Sequence, residues 1–324
     1  MSSETDEAPT FSLETPTTRA LKFVVFLLLD IPSVLCSLFI FFCFLREQQL
    51  RRWQNHAFVS LTICNFLITT AELPITLTFF RTGRVQLGSA SFCFYWIFAN
   101  YTLNGVSLYL MTAASVERYI LIFWSRQLHR TVVRRRLVHY VPLVFALAFA
   151  ITWYAALLGL YPCATDIVFD YHLFLCGGAC YQSNRVWATL DWILVPLTPV
   201  LLTVCLNSLL LAQVVLGKRH IRQALTWRKT RKMVVQLSAT VFLYLITQIP
   251  LGIISVIGLL GRTSDELSYV TLVWLYYLPY CIYLLSPFAY VLTTKECYGY
   301  LRRALNSVHR ANLIGPTNHV QTTV

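Results

Sequence analysis

The stretch that decides the fold runs Cys93-Phe-Tyr-Trp-Ile-Phe-Ala-Asn100-Tyr-Thr-Leu-Asn104-Gly-Val-Ser107-Leu-Tyr-Leu-Met-Thr-Ala-Ala-Ser-Val-Glu117-Arg118-Tyr119. It is mostly apolar and long enough to cross a bilayer. At about 1.5 Å of rise per helical residue, Arg118 lies roughly 37 Å from Cys93, one membrane thickness away. A thiol therefore marks one membrane face and an acid-base pair the other. Asn100, Asn104 and Ser107 fall in the middle, where polar groups are costly unless they face protein or water. A simple anchor helix does not explain them. The hub of a helical bundle does.

Working outward, the whole chain has the same character. Of its 324 residues, 57% are hydrophobic and only 12% charged, and the mean hydropathy is +0.60. Such a composition excludes an ordinary soluble domain and fits a polytopic helical membrane protein. Apolar runs occur at about Phe23–Leu45, Ala57–Phe80, Phe92–Phe123, Val138–Tyr161, Val186–Leu216, Met233–Leu260 and Tyr269–Leu292. Seven spans put the termini on opposite sides. The net charge of +12 is distributed unevenly: nineteen Lys and Arg fall in connections one, three and five and the C-terminal tail, and six on the other side. The positive-inside rule then places the N-terminus outside and the C-terminus in the cytoplasm. The basic residues flank spans and form no stripe with stacking aromatics, so no nucleic-acid partner is expected; the partner they imply is the lipid bilayer.

The expected organisation is an extracellular tail at 1–20, a seven-helix domain at 21–294, and an amphipathic helix with a cytoplasmic tail at 295–324. Cys36, Cys43, Cys64, Cys205 and Cys281 lie within apolar runs and read as packed small hydrophobes. Cys93, Cys163, Cys176 and Cys180 all fall on the outer side, which suits disulfides. No paired CxxC with histidine support points to zinc, and no cofactor is called for. A transporter or channel is the alternative reading; the chain shows no repeated halves in its favour. No HExxH, paired-Asp or nucleophile motif supports an enzyme.

Taken together, these motifs resemble the rhodopsin-like G-protein-coupled receptors. The outer cysteine and Glu117-Arg118-Tyr119 sit at the two ends of span three, 25 positions separating Cys93 from Arg118. Ser286-Pro287-Phe288-Ala289-Tyr290 resembles the family's Asn-Pro-x-x-Tyr, and Pro199 and Pro250 match the prolines of spans five and six. The resemblance covers about residues 20–310 and implies a seven-helix bundle that turns an extracellular ligand, peptide or small molecule, into activation of a heterotrimeric G protein at the plasma membrane. It also marks departures. The span-two acid is Asn65, which with Ser107 and Ser286 leaves a polar core without a carboxylate. The aromatic before the span-six proline is Gln248. The span-five tyrosine is Asn207.

The resemblance assigns Glu117, Arg118, Tyr119, Asn207, Pro250, Pro287 and Tyr290 to coupling and activation, with Glu117 capping Arg118 at rest and Tyr290 turning toward it on activation. The base of span six, Trp227 to Lys232, carries no acid to hold Arg118, so raised basal activity is expected. Cys93 is expected to pin the long outer loop through Cys180, with Cys176 as competitor; the Cys180 choice leaves Cys163–Cys176 as a second bridge. Acids inside spans cost about 2.5–3.5 kcal/mol at mid-helix, which makes Asp30, Glu72 and Asp191 functional suspects. By register, Glu72 and Asp191 lie in the outer halves of their spans. With Asn100, Asn104, Gln248, Tyr276 and Tyr280 they outline a ligand pocket, and a cationic ligand is one occupant they suggest. Asn100 stands where the family's amine receptors carry Asp, and Tyr280 where opsins carry their lysine, so neither an amine held at Asn100 nor retinal is expected.

Lys295–Val308 resembles the family's short helix along the membrane surface, with Cys297 a candidate for palmitoylation. The terminal Thr322-Thr323-Val324 suits capture by a PDZ domain.

Overall fold

The computed structural model describes residues 14–48, 50, 56–123, 132–161, 169–216, 224–261, 264–294 and 297–300. Among them run seven long helices and no strand: α1 (Pro16–Arg46), α2 (His56–Thr82), α3 (Ala90–Phe123), α4 (Val132–Gly159), α5 (185–216), α6 (Ala224–Leu259) and α7 (265–293). Helices α1, α2, α4, α5, α6 and α7 each contain a segment long and apolar enough to cross a membrane. α3 is long enough, at 34 residues or about 51 Å, and is mostly apolar around the asparagines and serines noted above. It can carry them because it is the inner helix: α2, α4 and α5 all pack on it.

α1 shows how the outer helices are built. Pro16 opens it and the Thr15 hydroxyl accepts from the Thr18 N–H, satisfying one donor of the first turn. Leu21, Leu28, Ile31, Leu35 and Leu45 are exposed, an apolar stripe suited to lipid, whereas Phe26, Ser33, Ser37, Ile40 and Cys43 face the bundle. α3 approaches its neighbours at Gly105, where an added Cβ would lie 3.2 Å from Val195, 3.3 Å from Ala150 and 3.3 Å from Tyr154. Small residues at such crossings are what let membrane helices come close.

Proline shapes three helices. In α2, Pro74 has no N–H to offer and crowds the preceding turn; just before it the helix widens into a π-turn, Ile68–Glu72, in which the Leu73 N–H reaches Ile68 O. α5 widens likewise at Ile193–Leu197, around Pro196. α7 breaks at Trp274, passes through a 3₁₀ turn at Leu275–Tyr277 and restarts with Pro279 in its first turn. π-turns and breaks of this kind re-aim the side chains beside them.

The long outer loop folds back over α3. Its chain bends through Leu175 (φ 51°) and Cys176 (φ 53°), an uncommon left-handed pair for non-glycine residues, followed by Gly177 and Gly178, also at positive φ. The bend buries Cys176 against the top of α3, and the bridge from Cys93 runs to Cys176, with 5.9 Å between the Cα atoms. The expected Cys93–Cys180 pairing is therefore corrected. The two glycines carry the chain away from α3 before Cys180, which starts the 3₁₀ turn leading to α5. Cys180 is itself disulfide-bonded, and a Cys163–Cys176 bridge is excluded because Cys176 is already used. Cys163 lies outside the described residues.

Residues 297–300 are helical; the rest of the expected surface helix, the 1–13 tail, the cytoplasmic tail and Thr322–Val324 lie outside the described residues.

Candidate functional site: an outer cavity above a buried arginine

A cavity of about 710 Å³ opens at the disulfide end of the bundle, within the range that holds a small-molecule ligand. Phe174 of the outer loop covers part of it, its ring 5.5 Å from Trp96, 4.8 Å from Tyr277 and 6.0 Å from Phe79 between centroids. Glu72, Asn100, Asn104, Asp191, Gln248, Tyr276 and Tyr280, all expected pocket residues, line this one space.

The two acids sit in different chemistry. Glu72 is placed by the π-turn of α2 and is buried. Its Oε1 accepts from Tyr280 (2.7 Å), Thr76 (3.0 Å), Asn100 (3.0 Å) and the Trp96 indole (3.1 Å). Its Oε2 is buried with no hydrogen-bond partner. Asp191 has both oxygens engaged: Trp153 Nε1 donates to Oδ1 at 2.8 Å and the Tyr181 hydroxyl to Oδ2 at 2.8 Å. Asp191 thus ties α4, α5 and the outer loop together.

The cavity floor continues inward as hydrogen bonds. Asn104 Oδ1 accepts from the Tyr283 hydroxyl of α7 and, at 3.5 Å, from Gln248 of α6. One turn further in, Ser107 donates to Asn65 Oδ1 (3.2 Å) and pairs with the Tyr244 hydroxyl of α6 (2.7 Å), while Asn65 Nδ2 donates to Ser286 of α7 (2.7 Å). Four helices meet on these side chains.

At the inner end, Arg118 is buried. Its guanidinium carbon lies 4.3 Å from the centre of the Phe58 ring, and Nε and Nη1 have no hydrogen-bond partner. Tyr290, also buried, stands on the same Phe58 at 6.3 Å between ring centres. Glu117 does not cap Arg118 as expected. Its Oε1 lies 2.8 Å from His139 Nδ1 of α4, and His139 Nε2 lies 3.1 Å from His56 Nδ1 of α2. Adjacent positions on a helix point about 100° apart, so Glu117 faces α4 while Arg118 faces α2 and α7. Asn207 donates to Ser115 of α3 at 3.0 Å and to Thr203 O at 2.7 Å.

The sequence of a matching family completes the picture: a family model described as 7 transmembrane receptor (rhodopsin family) matches residues 37–290. The chain belongs to that family. It is a receptor of the rhodopsin type and a multi-pass membrane protein. No curated protein matches it.

The receptor brings most of its sequence-marked residues together. Pro250 and Pro287 lie inside α6 and α7, and Tyr119 is half-buried at the inner end of α3. Cys297 is buried beside Cys43. The side chains at 227–232 lie outside the description. Sequence reasoning missed Phe58, Trp96, His139, Tyr181, Tyr244 and Tyr283. His139 had a usable signal, a titratable side chain within an apolar run. The aromatics had none, because buried tyrosines and phenylalanines fill every span.

Proposed function

We propose that the receptor binds an extracellular ligand in the outer cavity at the plasma membrane and transmits that event to a heterotrimeric G protein through Arg118. One observation carries the reading: the floor of the cavity and the polar core are two successive hydrogen-bonded clusters along α3, each tying it to α6 and α7. Asn104 joins α3 to α6 and α7, and three positions on, Ser107 joins α3 to α2 and α6, with Asn65 extending to α7. A ligand that displaces Gln248 or Tyr283 from Asn104 changes the stacking of α6 and α7 on α3. Pro250 and Pro287 supply the pivots, each leaving a backbone carbonyl unpaired within its helix. An outward swing of α6 then exposes Arg118, whose two unpartnered nitrogens are ready to receive a carbonyl or carboxylate from a Gα C-terminal helix. Buried charge of this kind is expensive and is kept where it works.

The test is Gα nucleotide exchange in cells expressing the wild type beside Arg118→Ala, over pools of peptides, amines and lipids. The wild type is expected to respond to at least one pool and Arg118→Ala to none, at equal surface expression. A response that survives Arg118→Ala refutes the role given to this residue.

A further inference from the structure

We propose that the ligand carries a primary or secondary ammonium group, and that this group docks on the unpartnered Oε2 of Glu72. The inference rests on the receptor reading above and specifies the chemistry of its cavity.

Glu72 is held in a fixed pose with half of its capacity unused. Four donors converge on Oε1, and an environment made of donors suits an ionised carboxylate. Oε2 has no partner and is buried, a costly condition for half of a carboxylate unless a partner arrives. No cation of the chain supplies it among the described residues. Lys22 pairs with Glu14 and lies 4.0 Å from the centre of the Tyr277 ring; Arg19 sits beside Gly83 at the rim. The groups lining the cavity are unbalanced in charge, with Glu14, Glu72, Asp170 and Asp191 set against Arg19. In a chain of net charge +12, this one concavity is acidic and draws cations in.

The rest of the lining fits the same ligand. Tyr101, Tyr154, Tyr276 and Tyr283 present aromatic surface to the cavity, which favours a cation and the apolar body behind it. The donor on the ligand is a charged N–H, because Oε2 lacks a hydrogen-bond donor; a quaternary ammonium has none to give. Asp191 is not a second dock, since Trp153 and Tyr181 already occupy its oxygens.

The experiment uses purified full-length receptor in detergent and reads thermal unfolding with three probes on one skeleton: 4-phenylbutylamine, its N-acetyl amide, and 4-phenylbutan-1-ol. At millimolar concentration the amine is expected to raise Tm by about 2 °C or more, and the amide and alcohol to leave it unchanged. Glu72→Gln removes the charge with little change in shape and is expected to abolish the amine shift; Asp191→Asn is expected to keep it. Equal shifts with all three probes overturn the proposal by showing a site that ignores the ammonium. A shift that survives Glu72→Gln, or is lost in Asp191→Asn instead, overturns it by placing the cation elsewhere. No shift with the amine overturns it too. Should Glu72→Gln fail to fold, the amine-against-alcohol contrast on the wild type still decides. Unfolding reports binding without a G protein, so a failure here leaves the coupling role of Arg118 standing, and a failure of Arg118→Ala to silence signalling leaves this dock standing.

Discussion

A single turn of a carboxylate decides how Arg118 is held. With Glu117 on His139 rather than on its neighbour, the arginine rests on the Phe58 ring with two nitrogens free, and a cation over an aromatic face is held by about 0.5–2 kcal/mol. His139→Leu removes the competing partner and is expected to return Glu117 to Arg118. Ligand-free nucleotide exchange on Gα, normalised to surface receptor, is then expected to fall below the wild type; an unchanged or higher rate refutes the assignment. The same measurement tests the raised basal activity expected from the acid-free base of α6. At this scale the sequence was partly legible. Glu72, Asn100 and Tyr280 were marked one at a time by the cost of polar groups in lipid, and they do meet. Which oxygen of Glu72 is taken, and that Glu117 looks toward α4, depend on side-chain rotation, which no spacing encodes.

Helices were legible by their apolar runs, while their irregularities were legible only as prolines. Pro74 was one proline among several in the spans, yet the π-turn beside it is what carries Glu72 into the cavity. The loop between α4 and α5 was the hardest element. Two cysteines four positions apart competed for Cys93, and the outcome turned on a left-handed bend at Leu175 and Cys176 that residue type does not announce. Gly105 marks a close approach of α3, α4 and α5, with 3.2–3.3 Å to the nearest atoms from a Cβ. Gly105→Leu is expected to separate them and to destabilise the receptor by about 1–3 kcal/mol, measured as a lowered Tm in detergent. Tm equal to the wild type shows that the crossing has slack.

The whole molecule is a bundle pinned at its outer end and hydrogen-bonded through its centre. Peptide mapping under non-reducing conditions is expected to recover Cys93 with Cys176 and a second bridge holding Cys180, whose available partner among the outer-side cysteines is Cys163; a Cys93–Cys180 peptide contradicts the loop path. Span count and hub helix were legible here, because they follow from apolar length, a property that sums over many residues and survives local error. The polarity of α3 bears also on how the chain is made. α3 is as apolar overall as several of its neighbours, but its asparagines and serines stay costly in lipid until they have protein partners. Those partners arrive at different times: Asn65 is synthesised before α3, while Asp191's helix, Gln248, Tyr283 and Ser286 come after. The polar face of α3 is therefore satisfied in stages as the chain lengthens, and its last partner, Tyr283 of α7, arrives at the end.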